Sequence, residues 1–413
     1  MNRYVIVGNG VAAAACIEGI RSADRSGEIT VVSAENRPVY CRPLISYYLE
    51  GKTDLARMNY REESFYEENG CAVLYGRKAE RIDPAAKTVF LDGGEALPYT
   101  RLCVAAGSSP FVPPFKGLDT VPETYSFMTL DDALSLERAT ETPRDVLIVG
   151  AGLIGLKCAE GLHARAKSIT VCDLADRVLS SILDAEDAAA VQAKLEENGI
   201  RFFLGNSVAE FRGNTALMQK GETVTFDVLV LAVGVRANAA LVKDAGGETG
   251  RGIVVDASMR TTLPDVYAAG DCAEGPDASV GFNRVLAILP NAYLQGYTAG
   301  VNMAGGGAAL ENAIPMNSIG FFGLHTMTAG CRTGQEEVEH TPNGYRRLYT
   351  ENGYLKGFAL IGETRRAGLY TSLIRDKVPL ESIDFTLLKQ AATSAAFSHE
   401  KRKTMFGGAK HAD

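Results

Sequence analysis

Tyr4-Val5-Ile6-Val7-Gly8-Asn9-Gly10-Val11-Ala12-Ala13-Ala14-Ala15 is the stretch that decides the fold. Four apolar residues read as a short buried strand. A glycine pair then turns the chain into an alanine-rich helix, expected to run to about residue 21. A second strand over residues 29–32 completes a β-α-β unit. Gly8 permits the tight turn, and Gly10 lets the backbone approach a pyrophosphate. The helix start at Val11 and Ala12 offers unpaired N–H groups to the phosphates. Ala13 is small enough for close helix–strand packing. Glu35 lies 22 residues beyond Ala13, near the spacing of a ribose-binding acid.

The pattern recurs. Residues 146–149 read as a strand, and Gly150-Ala151-Gly152-Leu153-Ile154-Gly155 turns into a helix expected to end near residue 164. Residues 168–172 form the next strand, ending in Asp173, 18 residues after Gly155. A carboxylate there accepts ribose hydroxyls and repels a 2′-phosphate, which favours NAD over NADP. Arg177, further on, is the residue that could instead accommodate such a phosphate. Two such units imply two parallel-sheet, dinucleotide-type domains in one chain. A third segment, Val266-Tyr267-Ala268-Ala269-Gly270-Asp271, is an apolar strand ending in Gly-Asp, where Asp271 is placed to bond a hydroxyl-rich ligand.

Composition bounds the rest. The chain has 413 residues, 46% hydrophobic and 22% charged, which excludes disorder, collagen and coiled coil. Its length allows two to three domains. Its 43 glycines exceed the usual ~7%. The net charge of −8 argues against a nucleic-acid surface or an anionic membrane as main partner. The short basic cluster Lys401-Arg402-Lys403 reads as a solvated tail. Eight cysteines are scattered with no C-x-x-C, which excludes a local redox disulfide, zinc or iron–sulfur framework and predicts no metal. Free thiols and the lack of a span-length apolar run predict a cytoplasmic protein.

Pro110, Pro113 and Pro114 mark a crossover between the two units. A third region begins near Gly305-Gly306-Gly307. Residues 345–349 and 354–361 are strand-like, and Asn352-Gly353 between them is a hairpin signal. Helices are expected over 365–376 and 384–397.

Together with Tyr40-Cys41-Arg42-Pro43, Ala105-Ala106-Gly107-Ser108-Ser109-Pro110 and Ala232-Val233-Gly234-Val235-Arg236, these motifs resemble the two-dinucleotide-domain flavoproteins related to the pyridine nucleotide-disulfide oxidoreductases. Leu286-Ala287-Ile288-Leu289-Pro290-Asn291, Gln295-Gly296 and Phe321-Phe322-Gly323-Leu324-His325 narrow the likeness. Within the family the chain resembles rubredoxin reductases and the flavin part of nitrite reductases, and these last motifs resemble the NADH-linked flavoprotein subunit of phenylglyoxylate dehydrogenase and related aldehyde oxidoreductases.

The resemblance implies an α/β fold with two Rossmann-like, glutathione-reductase-like domains and a small α+β C-terminal domain. FAD would occupy residues 1–112 and 242–304, NAD(H) would occupy 113–241, and 305–413 would form an interface domain that docks a partner. Arg42 and Pro43 would face the FAD pyrophosphate. Ala79, Ala106 and Gly107 would contact the adenosine half, and Asp271 a ribityl hydroxyl. Pro290 and Asn291 would start a helix whose positive end faces the flavin. Gly150, Gly152, Leu153, Ile154, Gly155, Asp173 and Gly234 would serve NAD(H).

Many relatives carry a lysine five residues after the Arg42 position and a glutamate two residues after the last glycine of the NAD turn. Here those positions are Tyr47 and Lys157. Lys157 is accordingly the candidate catalytic residue, with a surface pairing to Glu160 as the alternative. Cys41 is read as a structural thiol.

The expected activity is transfer of a hydride between NADH and FAD, with electrons exchanged with an external partner: a rubredoxin, a ferredoxin or an iron–sulfur subunit of a larger complex. A homodimer is a further possibility. The rival readings are an FAD/NADH-binding interaction module with slow turnover, and an NADH oxidase or peroxidase.

Overall fold

A computed structural model of the chain describes residues 2–391, 393–398 and 402. Of the basic tail cluster, Lys401 and Lys403 lie outside the described residues. Contacts divide the chain into two compact units, one comprising Met1–Pro276 and Asn283–Leu310, the other Asp277–Phe282 and the chain from Glu311 onward.

The first unit is built on two five-stranded sheets. In one, the order is Val266–Ala268, Arg101–Val104, Arg3–Val7, Glu28–Ser33, Cys71–Tyr75, and every neighbouring pair is parallel. In the other, it is Ile200–Leu204, Ser168–Asp173, Asp145–Val149, Val228–Leu231, Thr124–Tyr125, again parallel throughout. Both place the strand before each glycine turn in the centre, as a doubly wound nucleotide-binding sheet requires. Central strands of this kind are covered on both faces, so they read as continuous apolar runs. Tyr4, Val5, Ile6 and Val7 are all buried, as are Val146, Leu147, Ile148 and Val149. Ser108–Pro110 and Val235–Ala237 pair antiparallel, a two-stranded ribbon carrying the chain out of the first sheet and back. The expected crossover at Pro110 is this ribbon.

The first helix spans Val11–Ala23 and packs on Leu289–Met303 at close range. A Cβ on Gly296 would stand 2.1 Å from the Ala12 carbonyl oxygen, and one on Gly300 2.1 Å from that of Cys16. Glycine at these positions brings the two helix backbones together, and buried alanines on the first helix leave the room.

The second unit is an antiparallel sheet ordered Met316–Phe321, Leu324–Gly330, Tyr354–Ile361, Gly344–Glu351, Gln335–Thr341. Asn352 and Gly353 both take positive φ, the two-residue hairpin turn expected of that dipeptide. Phe322 and Gly323 form a second such turn with φ of 47° and 86°. Leu348, Phe358 and Leu360 pack with Tyr370, Leu373 and Leu388 into this unit's core. The helix expected over 365–376 is Ala367–Arg375. The one expected over 384–397 is two pieces, Phe385–Ala391 and a turn at Ser394–Ala396. Thr393 caps that turn by accepting from the Ala395 amide, so it starts afresh rather than continuing the helix.

Candidate functional site

The two glycine turns are closed by one device. Gly8 has φ +114°, and its absent Cβ would lie 2.1 Å from the Ala105 carbonyl oxygen; Gly150 has φ +119°, and its Cβ would lie 2.2 Å from that of Ala232. Each glycine amide donates to the adjacent strand, Gly8 to Val32 and Gly150 to Cys172. A side chain at either position would meet both strain and backbone. At Gly10 and Gly152, by contrast, nothing beyond the flanking chain lies within 4 Å of where a Cβ would be. Those two glycines are the N-caps of their helices, and neither helix start has a side-chain cap. Open space against unpaired helix N–H groups is what a pyrophosphate needs. The residues therefore fit two dinucleotides, with Val11, Ala12, Leu153 and Ile154 in the first turns of the two helices. Ala13 is fully buried, and Gly155 lies 2.0 Å (at its Cβ position) from the Gly150 carbonyl oxygen. Gly107 and Gly234 both have positive φ and open space before them.

Around the first turn, Glu35, Tyr40 and Arg42 form a bonded cluster. The Tyr40 hydroxyl donates to Glu35 over 2.8 Å and accepts from Arg42 over 3.0 Å and from the Leu130 amide over 3.0 Å. Arg42 also pairs with the second oxygen of Glu35 and donates to the Met128 carbonyl. Burial works against the Arg42 charge, but Tyr40 and Glu35 outweigh it, so the guanidinium pKa is raised. Burial pushes the Tyr40 phenol far up. Asp271, following Gly270 with its φ of +81°, is raised by burial, against the opposing pull of Ser108 and Arg42. The Ser108 hydroxyl lies 3.4 Å from its carboxylate.

Pro290 sits in the first turn of Leu289–Met303, and Asn291 is buried. Gln295, one turn on, accepts the Gly270 amide over 2.8 Å and so ties this helix to the Gly-Asp turn. Pro43 lies in the turn after Arg42. Ala79 opens the strand Ala79–Asp83, where it pairs with Leu91. The Ala106 carbonyl accepts from the Asn238 side chain.

Sequence reasoning missed three residues here. Asn9 donates to the Arg37 carbonyl and accepts from the Tyr66 hydroxyl, whose pKa burial pushes up to about 12. Tyr40 was visible only as part of a motif, and its role as the bonding hub came from contacts 90 residues away in sequence.

On the second side, Asp173 accepts the Ala151 amide over 2.6 Å and the Ala175 amide over 2.8 Å. Its carboxylate is thus held against the glycine turn. Arg177 bonds Asp176 and the Leu183 carbonyl, in a loop rather than on a helix. Lys157 pairs with Glu160, as the simpler reading predicts, but it is no surface lysine: the two side chains are 15% and 5% exposed. The Lys157 ammonium also lies 4.9 Å from the centre of the Tyr47 ring, so the two exchanged positions touch. Burial raises the Cys41 thiol, which disfavours a nucleophilic thiolate. All eight cysteines are free, and among the described residues no group of acids, histidines and cysteines is placed to hold a metal. No described helix is long and apolar enough to cross a membrane.

Comparison with known proteins places this architecture. The chain is 31% identical over 396 residues to the NADH-dependent phenylglyoxylate dehydrogenase subunit epsilon of Aromatoleum evansii, covering 92% of this chain and 94% of that one. It is 29% identical to a rubredoxin-NAD(+) reductase of Alcanivorax borkumensis, over 88% of this chain and 96% of that one. Among solved structures, putidaredoxin reductase in its covalent complex with putidaredoxin superposes with a TM-score of 0.88 at 22% identity, over 95% of this chain and 97% of that one. The chain spans about half the length of other curated relatives it matches. Residues 2–296 match the family described as pyridine nucleotide-disulphide oxidoreductase, and the chain belongs to that family.

Proposed function

We propose that this protein is an FAD-dependent NAD(H) oxidoreductase that exchanges electrons with a separate redox protein. The observation that carries it is the pair of identical glycine clamps, each opening an uncapped helix, in one chain. FAD, when bound, accepts a hydride from NADH and releases its electrons singly or in pairs.

The residues supply binding, orientation and charge. The Gly10 and Gly152 helix starts hold the two pyrophosphates. Arg42 adds a guanidinium on the first, and Asp271 and Glu35 take hydroxyls of FAD. Asp173, fixed by two backbone amides, takes the adenosine ribose of NAD(H). Lys157, held by Glu160, supplies positive charge where the two cofactors meet. With no disulfide to relay them, electrons leave for an external carrier. A rubredoxin fits the relative named for it, a partner subunit fits the relative named as a dehydrogenase subunit, and a cytoplasmic setting fits the free thiols.

The test is direct. The protein should purify yellow with non-covalent FAD, bleach on adding NADH without oxygen, and reduce a dye acceptor repeatedly. A protein that takes up no FAD under native conditions overturns the reading. Bleaching with a persistent charge-transfer band and no dye turnover would favour the interaction module.

A further inference from the structure

The helix Leu130–Ala139 belongs to the second nucleotide-type sheet by its place in the chain. It follows Thr124–Tyr125, an outer strand of that sheet, and leads into Asp145–Val149, the central strand that ends at Gly150. Its start is rigid. The Asp132 carboxylate accepts the Met128 and Thr129 amides over 2.8 and 2.9 Å, and the Thr129 hydroxyl accepts the Asp132 amide in return. Ser126 adds a bond to Asp132 over 3.0 Å. The chain from Ser126 to Asp132 therefore moves as one piece with the helix.

That piece is bonded to the chain around the first turn. The cap serves the Asp132 amide, and the Leu130 amide, also without a partner inside the helix, donates to the Tyr40 hydroxyl. The Met128 carbonyl accepts from Arg42 over 3.1 Å, and Asp131 pairs with Arg37. The far end is tied as well. Glu137 accepts from Tyr48 over 2.7 Å and from Arg165 over 3.0 Å, and Arg165 also donates to the Leu49 carbonyl. Arg165 stands just beyond the helix Leu153–Leu162 that Gly152 opens.

Two properties make the near end more than a support. Tyr40 is 7% exposed, and its hydroxyl is saturated: Arg42 and the Leu130 amide can only donate, so the single hydroxyl hydrogen goes to Glu35. Arg42, by contrast, is 42% exposed in its side chain. A guanidinium carries five N–H donors, and the bonds to Tyr40, Met128 and Glu35 account for three among the described residues. Donors remain for a phosphate. An anion seated on them takes nothing from Met128 or Tyr40, and it fixes the guanidinium that bonds both.

We infer that Tyr40 and Arg42 couple the two nucleotide sites. FAD at the first turn steadies Arg42, the Arg42–Met128 and Tyr40–Leu130 bonds carry that constraint to the helix Leu130–Ala139, and NAD(H) binds more tightly at the second turn. This rests on the reading that the two turns hold FAD and NAD(H). Tyr40 is then a positioning residue, acting through Arg42 and Leu130 rather than on either cofactor.

Coupling between two sites is reciprocal, so the holoenzyme reads it. FAD release on dilution is followed by flavin fluorescence, with and without saturating ADP-ribose. That probe carries the adenosine and pyrophosphate of NAD⁺ but no nicotinamide, so contact between the two cofactor rings does not enter. In the wild type ADP-ribose should tighten FAD by at least about fivefold. Tyr40→Phe should bring that ratio close to one. Leu130→Pro should lower it too, while leaving every residue assigned to FAD in place. Proline is accepted at the first helical position, and Thr129, at φ −115° and ψ 165°, has the extended backbone that a residue before proline requires. A tyrosine that only supports the fold would, when replaced, weaken FAD equally with and without ADP-ribose, and the ratio would stay at its wild-type value. A ratio of one in wild-type protein that binds ADP-ribose by calorimetry overturns the inference, and so does an unchanged ratio in either variant. Should Tyr40→Phe fail to hold FAD, Leu130→Pro decides alone. A wild type that binds no ADP-ribose overturns the NAD(H) reading itself, and this inference with it.

Discussion

The glycines of this protein divide into those that hold the fold and those that make room for a ligand, and alanine substitution separates them. Gly296 and Gly300 face the backbone of the first helix, where ordinary van der Waals contact begins at 3.4 Å and the new Cβ would stand at 2.1 Å. The two helices must part by about 1.3 Å to admit it. Overpacking against backbone costs up to about 3 kcal/mol. Alanine's better helix propensity returns about 1 kcal/mol, leaving roughly 2 kcal/mol lost for each substitution. The same displacement relieves both clashes, so the double variant should lose clearly less than the sum. Gly10→Ala meets nothing within 4 Å and has an ordinary φ of −95°. It should change the stability of the FAD-free protein by less than about 1 kcal/mol. Its methyl group, however, would occupy the place proposed for the pyrophosphate, and FAD affinity should then fall by at least about tenfold. Urea unfolding must be followed on FAD-free protein, because bound FAD adds its own stabilisation; FAD affinity is read separately by flavin fluorescence. If Gly10→Ala unfolds as early as Gly300→Ala, or binds FAD like wild type, the division is wrong. Strict additivity of Gly296→Ala and Gly300→Ala would refute the shared displacement.

Three further outcomes are expected. Lys157→Met should slow flavin reduction by NADH and lower the flavin midpoint potential while FAD stays bound; stopped-flow and redox titration that detect neither change would remove Lys157 from the reaction. Asp173→Ala should narrow a preference for NADH over NADPH that is about 10- to 200-fold in the wild type, and equal wild-type turnover with NADPH would show that Arg177 or another cation decides. For Asp271, burial raises the carboxyl, so the folded state favours its protonated form and stability is lost as pH rises from the ordinary carboxylate value through the folded one. Asp271→Asn should therefore unfold at higher urea than wild type near pH 7, with the advantage gone below about pH 4, and should bind FAD more weakly; an advantage independent of pH would exclude the carboxyl as its source.

The parts of this fold legible in the sequence were those set by local chemistry. The two glycine turns, their flanking strands and the Asn352-Gly353 hairpin each follow from what a few consecutive residues can adopt. The turn at Phe322-Gly323 escaped because phenylalanine rarely takes positive φ, and with it went the strands on either side. Gln335–Thr341 was invisible for another reason: Glu336, Glu337 and Glu339 make it read as a loop, whereas Arg347, Lys389 and Arg346 neutralise them across the sheet and beyond. The membership of Asp277–Phe282 in the second unit depends on contacts with residues far along the chain, such as the bond from the Ala278 amide to the Ala313 carbonyl. At the site, spacing singled out Glu35 and Asp173, and the family resemblance singled out Arg42, each individually. It did not show that Glu35 and Arg42 share Tyr40, or that Lys157 rests on Tyr47.

Each clamp presses a glycine onto a carbonyl oxygen, Gly8 onto Ala105 and Gly150 onto Ala232, and a carbonyl is supplied by any amino acid. The closure is thus silent to the identity of the residue that provides it. Mutation can rewrite the lining of either socket while its latch keeps working, and the two sockets can drift apart in ligand preference without either one losing its shape. A molecule built this way is readily re-addressed: evolution, or an engineer, can retune which nucleotide enters the second socket and leave the first untouched.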